Sequence, residues 1–418
     1  TLTSFLCGAA QNLEQLVLFR ILQGMSGAFM MPLSQSILMD SYPPERHAGI
    51  ISIWLMVGMI APIMGPVVGG YVTELYSWRW IFYINIPVGI VSTIGAAYAL
   101  SDSEHQTGLK FDILGFVLLS VAVATFQLML DRGTTLDWFA SHEIVIEGSL
   151  AAITFYLFIV HALTTPAPYV NTKIFANRNF CIGMGLTLLV SVVIFSSAAL
   201  QPTMLQSLMG YPVLTAAMLM VPRGIGMLAT TAITARLPRD LDPRVPIVGG
   251  CSLIALSMWQ VSTFDLNPSQ DLIMFNNGLQ GAGLGFILGP LLSVAFSQLA
   301  PHHRTDGTAM YAMIRSLSVS TGVSIATTLV ARAVRINHAE LVENITAYRH
   351  ALQFLAPQAA WSTQSLQGAA AIDTEVSRQA MMMAYIAVYR LEAILMCGAI
   401  ILILFVRQAR KPIAVAAE

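Results

Sequence analysis

A chain of 418 residues that is 56% hydrophobic and only 10% charged cannot fold as an ordinary soluble domain, where roughly a quarter of residues are charged. The formal net charge of −1 says little, because a lipid-embedded chain shows water only its loops. Apolar stretches of about 20 residues recur throughout, each long enough to cross roughly 30 Å of hydrocarbon as a helix, and they lack the strict alternation of barrel strands. The expectation is an all-α polytopic membrane protein.

In chain order, the opening stretch Leu2 to Ala10 is too short to span. Thr1 stands where a Met would start the chain, so the sequence is expected to begin inside a helix, with no signal peptide involved. Pro, Gly, Asp and Arg then divide the rest into about eleven complete spans. Their cores are expected at 16–38, 50–72, 81–100, 112–130, 144–163, 180–200, 213–234, 245–263, 272–295, 308–330 and 387–406. One set of alternating loops holds Arg46, Lys110, Lys173, Arg178, Arg236, Arg239, Arg244 and Arg304, with Arg407, Arg410 and Lys411 in the tail. The opposite short loops hold Arg79 and Arg132. The positive-inside rule makes the first set and the C-terminus cytoplasmic. A long outer loop is expected at about 331–385, with room for amphipathic helices of its own.

Two distant stretches read alike. Leu22-Gln23-Gly24 with Pro32-Leu33 and Pro44 is matched by Leu279-Gln280-Gly281 with Pro290-Leu291 and Pro301. Each copy closes a span, crosses a positive loop with an arginine and opens another glycine-bearing span. Both copies cross the membrane in the same direction, which is the parallel repeat relating the halves of a major facilitator. Three spans precede Gln280 within its half and only a stub precedes Gln23. The repeat therefore predicts that the first half lacks about two and a half helices and that the full protein has about fourteen. The expected organisation is an N-terminal bundle over 1–100, two inserted helices with linkers over 101–179 and a C-terminal bundle over 180–418.

Gly58 to Gly70 is the sharpest local signal. Ala61, Gly65 and Gly69 recur every fourth residue on one smooth face. Pro62 and Pro66 remove backbone donors and bend the helix, and Gly70 closes the run. A packing seam and an antiporter motif both fit. Gly281, Gly285 and Gly289 make a similar face; mid-span and with no strand before them, they read as helix packing and not as a dinucleotide fingerprint.

Arg20 lies within a span, with Gln23, Gly24 and Gly27 on its face. It either points into the bundle towards a carboxylate or wet cavity, or snorkels to the outer headgroups. Arg223 and Arg315 are two more in-span arginines, lining a cavity or anchoring the helix. Gln201 and Gln206 flank Pro202 and either line an exit or cap the helix, and Gln35 is a further cavity candidate. Glu392, the one acidic residue expected deep in a span though near an outer end beside Arg390, is a cavity candidate as well. The many methionines suit a pliable cavity but fit ordinary packing as well. Cys7, Cys181, Cys251 and Cys397 have no metal-ligand spacing and read as packing residues; His302 and His303 read as a solvated turn. With no nucleophile elbow, zinc-protease helix or paired catalytic carboxylates, an enzyme is not expected.

On these residues the chain resembles the fourteen-helix drug:proton antiporters of the EmrB/QacA family. Arg20 to Gly27 is similar to their helix-4 motif and Gly58 to Gly70 to their antiporter motif. Gln127 to Gly133 with Leu136 to Phe139, Pro32 to Ser36 and Tyr42 to Pro44 resemble the EmrB-like subgroup. The resemblance implies a multidrug exporter in the inner membrane of a Gram-negative bacterium. It would be driven by the proton gradient and need no cofactor, with small-molecule cargo, protons and lipid as its contacts. It also implies a membrane-fusion adaptor of the EmrA type, an outer-membrane channel of the TolC type and no nucleic acid. Arg20, with Gln23 and Gly24, would support a helix-1 aspartate at a position this chain does not contain. Export of one endogenous metabolite, such as a fatty acid or siderophore, is the alternative within transport; a non-transporting membrane scaffold or inactive fragment is the alternative outside it.

Overall fold

A computed structural model describes residues 1–42, 50, 54, 57, 58, 65, 68–99, 111–133, 135–166, 168–237, 241–296, 299, 304–343, 345 and 366–406, without the side chains of 31, 32, 35, 36, 39, 40, 304 and 305. Among the described residues every regular element is helical. The helices are α1 Leu2–Ala9, α2 Leu13–Gly27, α3 Met30–Ser41, α4 Trp80–Tyr83, α5 Asn85–Ala99, α6 Ile113–Gly133 and α7 His142–Thr164. They continue with α8 Arg178–Thr203, α9 Val213–Arg236, α10 Arg244–Val261, α11 Gln270–Phe296, α12 Arg304–Glu343 and α13 Leu366–Leu404. Nine stretches among the described residues are long and apolar enough to cross a membrane, from Trp80–Ala99 to Leu366–Leu404.

The expected spans between 81 and 295 are helical, with ends shifted by a few residues. Three others need comment. The span expected at 16–38 is divided into α2 and α3 at Ala28 and Phe29, both of which keep helical dihedrals. The cause is Pro32, which has no amide to offer the Ala28 carbonyl four residues earlier. Most of 50–72 lies outside the described residues. The long loop expected at about 331–385 is helical over 331–343 and 366–385, because α12 and α13 run on past their apolar cores. Their 40 and 39 residues measure about 60 Å each, about twice the hydrocarbon thickness. Beyond the apolar cores they stay together: Asn337 Nδ2 donates to the Ala380 carbonyl at 3.2 Å and His338 Nε2 meets Asp373 Oδ1 at 3.1 Å.

The main apolar core lies among α8 to α13. Asn177 starts α8 by accepting the Phe180 amide at 3.1 Å. Pro202 interrupts the amide ladder near the end of α8, which then passes into a π-helical turn over Met204–Leu208. Gly210 at φ 75° reverses the chain and Pro212 opens α9. The closest approach is α9 on α11, where a Cβ on Gly281 would fall 1.8 Å from the Arg223 carbonyl oxygen, so glycine is required there.

The α6–α7 hairpin is pinned at both ends. At one, Asp112 accepts the Gly115 and Tyr169 amides, each at 2.9 Å, and meets His161 Nε2 at 2.9 Å. At the other, Arg132 pairs with Glu147 at 2.9 Å and with Glu143. Asp131 of α6 accepts from Ser324 of α12, tying the hairpin to that helix.

Candidate functional site

An enclosed polar group sits where α8, α9, α11 and α13 meet. Arg223 lies midway along α9, and its Nη2 donates to Gln201 Oε1 of α8. Gln201 is 2% exposed, Gln280 1%, Tyr389 1% and Glu392 4%. Gln280 Nε2 donates to Ser197 Oγ at 2.9 Å. One residue back on α8, Ser196 Oγ contacts both the Val193 carbonyl, at 3.1 Å, and Glu392 Oε1. Arg223 makes no ion-pair contact with Glu392 among the described residues; its hydrogen-bond partner is Gln201. Arg223 Nε, Glu392 Oε2 and Asn277 Oδ1 are shielded and lack a hydrogen-bond partner. A charge-bearing group this deep in an apolar bundle is expensive and is held only where something compensates it.

A second polar layer clasps α10 to α11. Asn276 Nδ2 donates to the Ser257 carbonyl at 2.8 Å and to Gln260 Oε1 at 3.0 Å, while Ser257 Oγ donates to Asn276 Oδ1 at 3.1 Å. Asn277 Nδ2 donates to the Leu219 carbonyl of α9 at 3.1 Å, next to the Gly281 approach.

In the first half the motif residues are brought together but not covered. Arg20 Nη1 donates to Gln23 Oε1 at 3.2 Å, and its guanidinium lies over the Phe82 ring at 4.6 Å from the centroid. Gln23 Nε2 donates to Ser4 Oγ of α1 at 2.7 Å, near the buried Cys7. Arg20 is exposed, no residue of α2 is buried, and a Cβ on Gly24 would meet open space. Among the described residues Arg20 has no carboxylate partner; aromatic and amide contacts hold it.

Gly58, Gly65 and Gly69 likewise face open space, whereas Gly70 touches α9, with Val213 Cγ1 and Ala217 Cβ at 3.5 and 3.7 Å from where its Cβ would lie. Pro62 and Pro66, the side chain of Gln35, and His302 and His303 lie outside the described residues. Gln206 is half-buried in the π-helical turn. Arg315 is exposed on α12, beside Tyr311 and away from the Arg223 group. Glu392 turns into the bundle while Arg390 points outward, since residues two apart on a helix face different ways. Cys7 and Cys251 are buried, but Cys181 and Cys397 are exposed and not packing residues of this chain's core.

Ser196, Ser197, Asn277 and Tyr389 belong to the buried group and were not singled out by sequence reasoning. The repeat contained a signal for one of them. Counting back three residues from each glutamine sets Asn277 opposite Arg20, just as Gln280 stands opposite Gln23.

The model of the Major Facilitator Superfamily matches residues 1–323. The chain is 32% identical to the multidrug export protein EmrB of Escherichia coli K12 over 349 residues, covering 83% of this chain and 68% of that protein. It is 33% identical to the fatty acid resistance protein FarB of Neisseria gonorrhoeae over 348 residues, 83% of this chain and 69% of FarB. In fold it is similar to an inward-facing, occupied bacterial homologue of the human lysosomal transporter Spinster, with a TM-score of 0.50, 15% identity and coverage of 97% of this chain and 79% of that one. With a family match over more than half its length and an all-helical, membrane-spanning fold, the chain belongs to the Major Facilitator Superfamily.

Proposed function

We propose that this protein exports small amphipathic or hydrophobic compounds from a bacterial cell by proton-coupled alternating access. The observation that carries the reading is the 32% identity to a multidrug export protein over 349 residues. The chain also keeps buried Glu392 and half-buried Arg223 inside an otherwise apolar bundle, where ionisable groups mark ion and substrate paths. On this reading 1–100 belongs to a first bundle, 101–179 to an inserted pair, and 180–418 to a second bundle that rocks against the first. Arg20 and Gln23 stabilise the ionised state of a carboxylate in the first bundle. Gln201, Gln206, Arg223 and Glu392 face the transport path, with Arg315 an anchor. The 58–70 segment seals the halves, and the contact from Gly70 to α9 supports that place.

The location is the inner membrane with the C-terminus in the cytoplasm, supported by the distribution of Arg and Lys. Cargo would pass to a membrane-fusion adaptor and an outer-membrane channel of the kinds that serve EmrB-like pumps. The paired extensions of α12 and α13 beyond the hydrocarbon suit the adaptor contact. A second reading, export of fatty acids alone, is favoured by the 33% identity to FarB. Susceptibility profiling of a strain deleted at the native locus separates them. The multidrug reading expects sensitisation to chemically unrelated hydrophobic toxicants; sensitisation to long-chain fatty acids alone would replace it with the second.

A further inference from the structure

Glu392 is a 4% exposed carboxyl on α13 whose Oε2 has no hydrogen-bond partner among the described residues. Its Oε1 is in hydrogen-bond contact with Ser196 Oγ, which also lies 3.1 Å from the Val193 carbonyl. A serine hydroxyl has one proton to give. If that proton goes to Val193, the contact with Glu392 holds only when the carboxyl carries a proton of its own and donates it to Ser196. If it goes to Glu392, the carboxyl either is ionised, its second oxygen left buried and unpaired, or holds a proton on that second oxygen with no acceptor for it among the described residues. The ionised arrangement is the costlier one unless a positive charge is near.

The groups around the carboxyl are few. From α8 come Ser196, Ser197 and Gln201; from α9, Arg223; from α11, Gln280 through Ser197; from α13 itself, Tyr389, with Arg390 turned outward. From α12 the described hydrogen bond to α13 nearest Glu392 is Asn337 on Ala380, about three helical turns before it. From α10, Arg244 is engaged with the Val406 carbonyl at the far end of α13. With Arg390 turned outward, Arg223 is the one arginine of this group among the described residues. It is turned to Gln201, with Nε free to take another acceptor.

We propose that Glu392 is a proton-binding site in the second bundle, where the Ser196 hydroxyl switches between Val193 and the carboxylate and Arg223 supplies the charge that the ionised state needs. The inference deepens the proton-coupled reading and rests on it. The step is the addition of one proton, delivered by water, to a carboxylate oxygen; no other bond forms or breaks. In the protonated state Arg223 stays with Gln201. In the ionised state it is drawn towards Glu392, which shifts α9 against α8 and α13.

Infrared difference spectroscopy on the purified full chain, stepped from acid to alkaline pH, reads the carbonyl stretch of a protonated carboxylic acid. The expected result is a band that disappears on alkalinisation in the wild type and is missing in Glu392→Gln. Arg223→Gln and Ser196→Ala should each move its disappearance to more alkaline pH, since each removes a group that favours the ionised form. A band that persists in Glu392→Gln, or a wild type with no such band, overturns the proposal. If Glu392→Gln does not accumulate, an unmoved band in both other variants overturns it equally. Export is measured separately: export without the band overturns this site alone, while a titrating band in a protein whose export ignores the proton gradient supports the site and overturns the proton-coupled reading.

Discussion

Gln23 and Gln280 occupy the same position in the internal repeat, and each donates its amide to a serine, at 2.7 and 2.9 Å. Their surroundings are opposite. Gln280 is 1% exposed, its neighbour Gly281 lies against the backbone of α9, and Asn277 one turn back is fully buried. Gln23 is half-buried, Gly24 faces open space and Arg20 is exposed. Spacing along a helix decides which side chains share a face. What that face becomes, a dry polar junction or an open one, is decided by the elements laid against it.

The largest expected effect follows from the paired glycines. Gly281→Ala puts a methyl group into the Arg223 carbonyl and should cost about 1–3 kcal/mol, read as a lower melting temperature and poorer membrane accumulation. Gly24→Ala should change stability by no more than about 0.5 kcal/mol. An equal loss at both positions would show that another element covers the α2 face and would erase the contrast. The same logic applies to Gly322, whose Cβ would come 2.7 Å from the Val192 carbonyl, against the open Gly65.

Next comes function at constant fold. Arg20→Ala should reduce proton-driven export to background while protein abundance stays normal, because its contacts are one glutamine and the Phe82 ring. Undiminished export would remove Arg20 from the mechanism. A smaller difference is expected between Gln280→Ala, at about 1–3 kcal/mol for stranding a buried partner, and Gln23→Ala, at under about 1 kcal/mol. Thermal unfolding of the two variants in parallel measures it.

The smallest effect is a pH dependence at the base of the α6–α7 hairpin. The Gly115 amide, opposed by burial and aided by His161 and Tyr169, holds the Asp112 carboxyl below the usual carboxylate range. A depressed acid stabilises the fold above its unfolded value and loses that contribution as pH falls through its folded value. Acidification below the ordinary carboxylate range should therefore lower the melting temperature of the wild type more than that of Asp112→Asn. Parallel curves for the two proteins would show that the carboxyl is not a latch.

The helices were legible because hydrocarbon demands long apolar runs, so α6 to α11 lie where apolar length puts them. The extensions of α12 and α13 were legible only in part: 331–343 and 366–385 carry Arg, His, Asp and Glu that read as an outer loop with room for helices of its own, not as continuations of α12 and α13 packed on each other. Arg20 with Gln23, and Gln201 with Arg223, were visible as polar residues inside spans. Their partners Ser196 and Ser197 were invisible, since a serine in an apolar helix is ordinary until a glutamate or glutamine from another helix lies against it. Glu392 was visible as the one acidic residue inside a span; that it turns inward while Arg390 turns outward was not, because two positions of helix rotation separate them.

The central claim is proton-driven export, and inverted membrane vesicles from cells expressing the protein from its native locus test it most directly. On energisation these vesicles should accumulate a hydrophobic cationic dye beyond vesicles from the deletion strain, and a protonophore should abolish the difference. Equal accumulation in the two preparations, or a difference that survives the protonophore, would contradict it.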